Sequence, residues 1–196
     1  VTKKSEIPFG AQFRPTDTTL EVSEQPLSQI LTDLVSPDEH VRGQSLELLA
    51  IHLMRLVDLD FKGWLLRSVD SKGIEVGVIA HDKCVPFNCW QIQCLNSKRP
   101  GMDEIATAVG RGIFFKPNVL LSMTAGNFTS QARYYAMRAM QLTSLQILLM
   151  EAQDLRAIAA DKRVVANIIN REVGQVEVAK QSQLDQSMYG ARRSRP

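Results

Sequence analysis

The sequence predicts an α/β fold with a mixed central β-sheet flanked by helices, and three observations predict it. Apolar periodicity runs in the order helix, three strand-like runs, helix, strand, helix, strand, helix. The first link between strand runs, Asp70-Ser71-Lys72-Gly73, has the composition of a hairpin turn, which implies antiparallel pairing. The later strands are separated by helices, which implies parallel pairing through right-handed crossovers.

The elements follow in chain order. Residues 1–28 carry Pro8, Pro15 and Pro26 among polar residues and read as a loose arm, with one docked piece around Phe9 to Phe13. Ser36, Pro37 and Glu39 form a capping pattern with proline at the first helical position. Leu46, Leu49, Ala50, Leu53, Leu56 and Val57 then recur at spacings of three and four, one apolar face of a helix over 37–57. Runs 63–69, 74–80 and 89–95 have strand character, and the link holding Pro86 and Asn88 is a looser loop. Residues 102–115 read as a helix that ends near Gly110 or Gly112. Residues 118–123, bounded by Pro117 and Thr124, read as a buried strand, and Thr129 caps a helix through Leu142. Residues 144–150 are a further buried strand and 154–160 a short helix. From Asp161 to Gln183 helical periodicity persists through Val164, Val165, Ile168 and Ile169, weakened by Gly174. Tyr189 to Pro196 reads as a basic tag whose Arg192, Arg193 and Arg195 aid solubility. The expected organisation is an N-terminal arm at 1–35, a core at 36–160, and a C-terminal helix and basic tail at 161–196.

Composition limits the function classes. The chain has 196 residues, 44% of them hydrophobic and 22% charged, as expected of one globular domain. The net charge of +2 leaves no strong overall field, so any nucleic-acid contact must come from a local patch. The longest apolar stretches are about six residues, far short of a membrane span. The start lacks an apolar signal region, and three cysteines read as reduced thiols, so a cytoplasmic protein is expected.

Five segments carry a resemblance to a known family. They are Arg42-Gly43-Gln44-Ser45-Leu46-Glu47, then Gly73-Ile74-Glu75-Val76-Gly77-Val78-Ile79-Ala80, then Trp90-Gln91-Ile92-Gln93-Cys94-Leu95-Asn96. The other two are Asn127-Phe128-Thr129 with Ala132 and Ala136, and Ile147-Leu148-Leu149 with Asp154-Leu155. In this order and spacing, over residues 36–160, the chain resembles the Mrr-type restriction endonucleases of the PD-(D/E)xK nuclease superfamily. The resemblance implies a restriction-endonuclease-like sandwich with a mixed sheet. It also implies a site in which two neighbouring strands aim an acid and a Gln- or Glu-x-Lys pair at one spot. There the carboxylates hold Mg²⁺, which polarises the phosphodiester and activates water, and the lysine stands beside the developing charge.

Two positions depart from the pattern. Gly77 stands where the family has aspartate, and Leu95 where it has lysine. Neither side chain can bind a metal or donate to phosphate. Glu75 shares the face of Gly77 by strand alternation, Gln93 is retained, Glu47 on the first helix is a second carboxylate, and Lys98 follows three residues after Leu95. The catalytic candidates are therefore Glu47, Glu75, Gln93 and Lys98, with Glu47 and Glu75 holding Mg²⁺ if the site works. Lys98, Arg99, Arg111 and Lys116 are the candidates for gripping DNA phosphates. Tyr134 and Tyr135, with Arg133 and Arg138, are further candidates for nucleic-acid stacking, against the alternative of core packing. His81, Cys84, Cys89 and Cys94 match no zinc spacing.

Three functions follow. The leading expectation is a DNA-binding pseudonuclease in a DNA defence or DNA-processing system. The alternatives are an active metal-dependent endonuclease with a rearranged site and a protein-interaction domain that no longer binds DNA. DNA is the expected partner, with a homodimer or a defence-system protein as further partners, and no membrane.

Overall fold

A computed structural model describes residues 25–85 and 88–193, apart from the side chains of 179 and 182–193. Its centre is one five-stranded mixed sheet in the order β1-β2-β3-β4-β5, flanked by helices. The strands are β1 (Leu59–Leu66), β2 (Glu75–Asp82), β3 (Cys89–Leu95), β4 (Val119–Thr124) and β5 (Gln146–Met150). β1 to β3 form an antiparallel meander, while β3, β4 and β5 run parallel. The switch falls where the connections change from short links to helices. A parallel neighbour needs a crossover, and α4 (Met102–Phe115) and α5 (Ser130–Leu142) supply it.

The helix expected over 37–57 is α2 (Glu39–Leu56). Its cap is Asp38 rather than Ser36, because the Asp38 carboxylate accepts the His40 amide at 2.8 Å. The Ser36 hydroxyl instead accepts the Asp38 amide at 3.2 Å. Thr129 caps α5 as expected, accepting from the Ala132 amide at 3.2 Å. α4 does not stop at Gly110 or Gly112. It continues to Phe115 and ends on Lys116, which takes the left-handed conformation at φ 47°. Two glycines in a helix weaken it but do not break it when its other face is packed.

Three stretches differ from expectation. Residues 27–33, assigned to the arm, form α1 (Leu27–Asp33), whose Leu27 and Ile30 are buried against the core. The first strand begins earlier and ends earlier than 63–69, and the expected hairpin turn contains a helical turn, α3 (Ser68–Ser71). Val69 is therefore 82% exposed on that turn instead of lying in the sheet. The last helix, α7 (Val164–Arg193), runs straight through Gly174 and past Gln183 to include residues read as a tag. The Phe9 to Phe13 piece and Arg195 lie outside the described residues. Before α7 comes α6 (Ala152–Ala160).

Strand alternation assigns the sheet's two faces. In the observed register Val76 opposes Cys94, Val78 opposes Ile92 and Ala80 opposes Trp90, so the even-numbered residues of β2 and β3 align with the odd-numbered residues of β4. Trp90 opposes Val119, Ile92 opposes Leu121, and Cys94 opposes Met123, so these residues share one face. α2 packs on β1, β2 and β3, with α1 and α6 beside it. Asn96, which continues this parity, has an amide that in its satisfied orientation reaches the Leu34 carbonyl and Arg42 Nε at 3.1 and 3.2 Å. α4 covers the other face, where Gln91 Nε2 donates to the Ala108 carbonyl at 3.0 Å. At the β5 edge, α7 supplies Glu172, whose carboxylate accepts the Leu149 amide at 3.3 Å. An edge strand otherwise leaves such donors without partners. Among the described residues no helix is long and apolar enough to cross a membrane.

Candidate functional site

The sheet face beneath α4 carries polar side chains in three rows. Gly77, Gln93 and Ser122 form one row, flanked by Glu75, Leu95 and Thr124 on one side and Ile79, Gln91 and Leu120 on the other. Gln91 and Gln93 are each 1% exposed, and Ser122 is fully buried. Thr124 is satisfied, since its hydroxyl donates to the Ser97 carbonyl at 2.6 Å and accepts the Gly126 amide at 2.9 Å. Both ends of the Gln93 amide, Gln91 Oε1 and the Ser122 hydroxyl have no protein partner. Buried polar atoms are ordinarily paired, so four such atoms on adjacent strands mark a place where the core is not built for stability alone.

Each predicted residue has a definite position relative to this strip. Glu75 stands opposite Leu95 at the end of β2, and its carboxylate forms an ion pair with Arg111 of α4. Arg111, a candidate for gripping phosphate, is thus the partner of a candidate metal ligand. Gln93 lies at the centre, directly opposite Gly77. Leu95 is 3% exposed and belongs to the apolar core. A Cβ added at Gly77 would meet Leu65 Cβ at 3.3 Å, so the missing side chain is matched by close approach of β1.

Glu47 is committed elsewhere. It accepts from the Ser68 amide at 3.3 Å, from the Ser68 hydroxyl, and from Arg67 at 3.0 Å. Arg67 in turn lies over the Trp64 ring, 5.1 Å from its centroid. The contact exists because Gly43 and Gly73 let α2 approach the hairpin. Gly73 has φ +70°, and a Cβ there would meet the Glu39 carbonyl at 3.0 Å and Gly43 Cα at 3.2 Å. Glu47 thus ties α2 to α3, while Glu75 faces α4. Among the described residues no group of three or more His, Cys, Asp or Glu is arranged to hold a metal ion. Cys94 is fully buried on the apolar face, where burial pushes its thiol pKa up, whereas Cys84 is exposed.

The four candidate phosphate contacts are distributed between different places. Lys98 and Arg99 are exposed just beyond β3, where the Asn127 amide donates to the Lys98 carbonyl at 3.1 Å. Lys98 also lines a cavity of about 320 Å³ with Arg42 and Asn96. Lys116 caps α4 at the opposite end, next to Asn118, whose side chain accepts the Cys89 amide at 2.8 Å. Arg111 is occupied by Glu75. Of the α5 candidates, Tyr134 is 62% exposed, Tyr135 packs on the core, Arg133 pairs with Glu151 at 2.5 Å, and Arg138 donates to Gln141 at 2.8 Å.

Sequence reasoning missed three features. Ser122 was read as part of an apolar strand, although a serine within Val119-Leu-Leu-Ser-Met-Thr124 was its signal. The pairing of Glu75 with Arg111 had no signal, because 36 residues separate the partners. The ion pairs of buried Glu151, Asp154 and Glu172 with the partly exposed Arg133 and Arg171 were also missed; charged residues beside a buried strand were the clue. No family model matches the chain, and no curated protein matches it.

Proposed function

We propose that this chain is a restriction-endonuclease-like DNA-binding domain that has lost cleavage, a pseudonuclease serving a DNA defence or DNA-processing system. The observation that carries the reading is the arrangement around Gln93. Gly77 of β2 stands directly opposite it, and Leu95, two residues on, is buried in the core. The position of the acid offers no oxygen, and the position of the cation offers no donor. Glu75 and Glu47 are each held by an arginine, which opposes recruitment of either as a substitute metal ligand. Catalysis of this kind loses about a hundredfold for a misplacement of about 1 Å, and these changes exceed that. Mg²⁺ belongs only to the rearranged-site alternative.

DNA contact is assigned to the end of β3, where Lys98 and Arg99 are exposed and free of ion pairs among the described residues. Such contacts read phosphate rather than base, so binding is sequence-tolerant and salt-sensitive. The test has two parts. Supercoiled plasmid incubated with Mg²⁺ or Mn²⁺ is expected to stay intact; metal-dependent nicking that disappears in Glu75→Ala would establish the rearranged nuclease instead. A gel-shift series in rising salt is expected to show binding that weakens steeply. Replacing both Lys98 and Arg99 by alanine should reduce the log–log slope by about 1.8, from about 0.9 per contact. Absence of binding at low salt would favour a protein-interaction domain.

A further inference from the structure

A second cavity lies on the far side of the molecule from the α4 face. It has a volume of about 580 Å³ and sits between α1, α2 and the link from α6 to α7. Pockets that hold small molecules span roughly 300–1,000 Å³. The helical repeat brings its α2 wall together: Leu48, His52, Arg55 and Leu56 recur at spacings that place them on one face. Lys162 comes from the short link after α6, while Gln25 and Ser28 line the α1 side.

The chemistry of the lining is one-sided. Among the described residues, His52, Arg55 and Lys162 are its titratable groups, and no carboxylate lines it. Of the described acids close in sequence to this lining, Glu47 is held by Arg67 and Ser68, Asp58 by Lys83 and Asp161 by Arg163, while Asp33 accepts from Gln25 at 2.6 Å and Gln29 at 2.8 Å. Among the described residues, the elements packed around His52 contribute no other charged group to the cavity: α1 brings Leu27, Ser28 and Ile30, and α6 brings Ile158 and Ala159. His52 Nε2 is buried without a partner. Among the described residues neither Arg55 nor Lys162 has an ion pair or a side-chain hydrogen bond.

We infer that this cavity is a binding site for a phosphate monoester, gripped by His52, Arg55 and Lys162, with the apolar wall of Leu48, Leu56 and Ile158 taking the group it is attached to. A phosphate monoester fits three cations better than a carboxylate because it carries up to two charges and three strong acceptor oxygens. Burial, then Lys162 and Arg55, hold the His52 imidazole below its ordinary value of 6.5. In the empty pocket it is therefore neutral at pH 7, and a bound dianion reverses the sign of its surroundings. Binding is thereby coupled to proton uptake.

The monoester has two sources, a free phosphorylated small molecule or a terminal phosphate of a nucleic acid. The experiment is an NMR titration of the three histidines of the whole chain in inorganic phosphate, with chloride at equal ionic strength as control. The His52 pKa is expected to rise saturably, by about half a unit or more, while His40 and His81 stay still. Arg55→Gln with Lys162→Gln, both at exposed positions, should weaken phosphate binding at least about tenfold without altering the fold. Displacement of phosphate by a 5′-phosphorylated but not a 5′-hydroxyl oligonucleotide assigns the nucleic-acid source. Displacement by a sugar phosphate alone assigns the small-molecule source. Equal shifts of all three histidines, the same response to chloride, or no response of His52 to phosphate would overturn the site.

Discussion

Beneath α2, strands β2 to β4 present Val76, Val78, Ala80, Ile92, Cys94, Leu121 and Met123, all buried and apolar. Beneath α4, the same three strands present Glu75, Gln91, Gln93, Ser122 and Thr124, also buried or half-buried but polar. The sheet is covered on both faces, and strands covered on both faces are ordinarily apolar on both. Burial is thus common to the two faces, and only one has the composition that burial favours. The first face is explained by folding. On the second, four buried polar atoms have no protein partner, which the proposed site accounts for.

The largest test of this contrast is a matched pair of neighbours. Ile92→Ala on the apolar face should lower unfolding free energy by about 2–5 kcal/mol, from lost burial and the cavity left behind. Gln93→Leu, one residue along and facing the other way, should change it by no more than about 1 kcal/mol, because it removes an amide without protein partners. Urea denaturation measures both. A cost for Gln93→Leu equal to that for Ile92→Ala would mean that bound water satisfies the amide and that the strip contributes to stability.

Installing the acid and lysine of the nuclease pattern that the chain resembles probes the same face. Leu95→Lys places a cation in the core and should cost at least about 2 kcal/mol. Gly77→Asp requires Leu65 to yield by a few tenths of an ångström. If the two losses are the whole of the degeneration, the folded double variant should regain Mg²⁺-dependent cleavage that neither single change gives, since both groups act on one transition state. A folded double variant that binds Mg²⁺ and stays inert would show that further positions have been lost. Arg111→Met should cost about 1–3 kcal/mol by leaving the Glu75 carboxylate unpaired; an unchanged unfolding midpoint would show that Glu75 reaches water instead.

The smallest expected effect concerns pH. The depressed His52 pKa means that the unfolded chain binds its proton more readily. The stability associated with neutral His52 is therefore present above pH 6.5 and is lost as pH falls through the lower folded value. His52→Gln should flatten that part of the stability profile between pH 7 and 5, and an unchanged slope would remove His52 as its source. Thiol labelling of the folded chain offers a further check, with Cys84 reacting freely and Cys94 protected on the apolar face.

Periodicity by itself determined where α2, β2, β3, α4, β4, α5, β5 and α6 lie, because each pattern is local and repeats several times. It also separated hairpin connections from crossovers, and so determined that the sheet is mixed. Strand alternation alone was enough to put Glu75 with Gly77 on one face of β2 and Gln91 with Gln93 on one face of β3, and the observed register brings the two sets together. α1 escaped notice because seven residues hold too few turns for a periodic signal, and its burial depends on α2 and α6. Only tertiary structure decided which helix covers which face, and this controls the electrostatics. Glu47 meets Arg67 through a glycine-lined approach of α2 to the hairpin, and Glu75 meets Arg111 through the packing of α4. Both pairings join residues 20 or more positions apart, and a charge's partner across that distance depends on the packing of whole elements rather than on spacing along the chain.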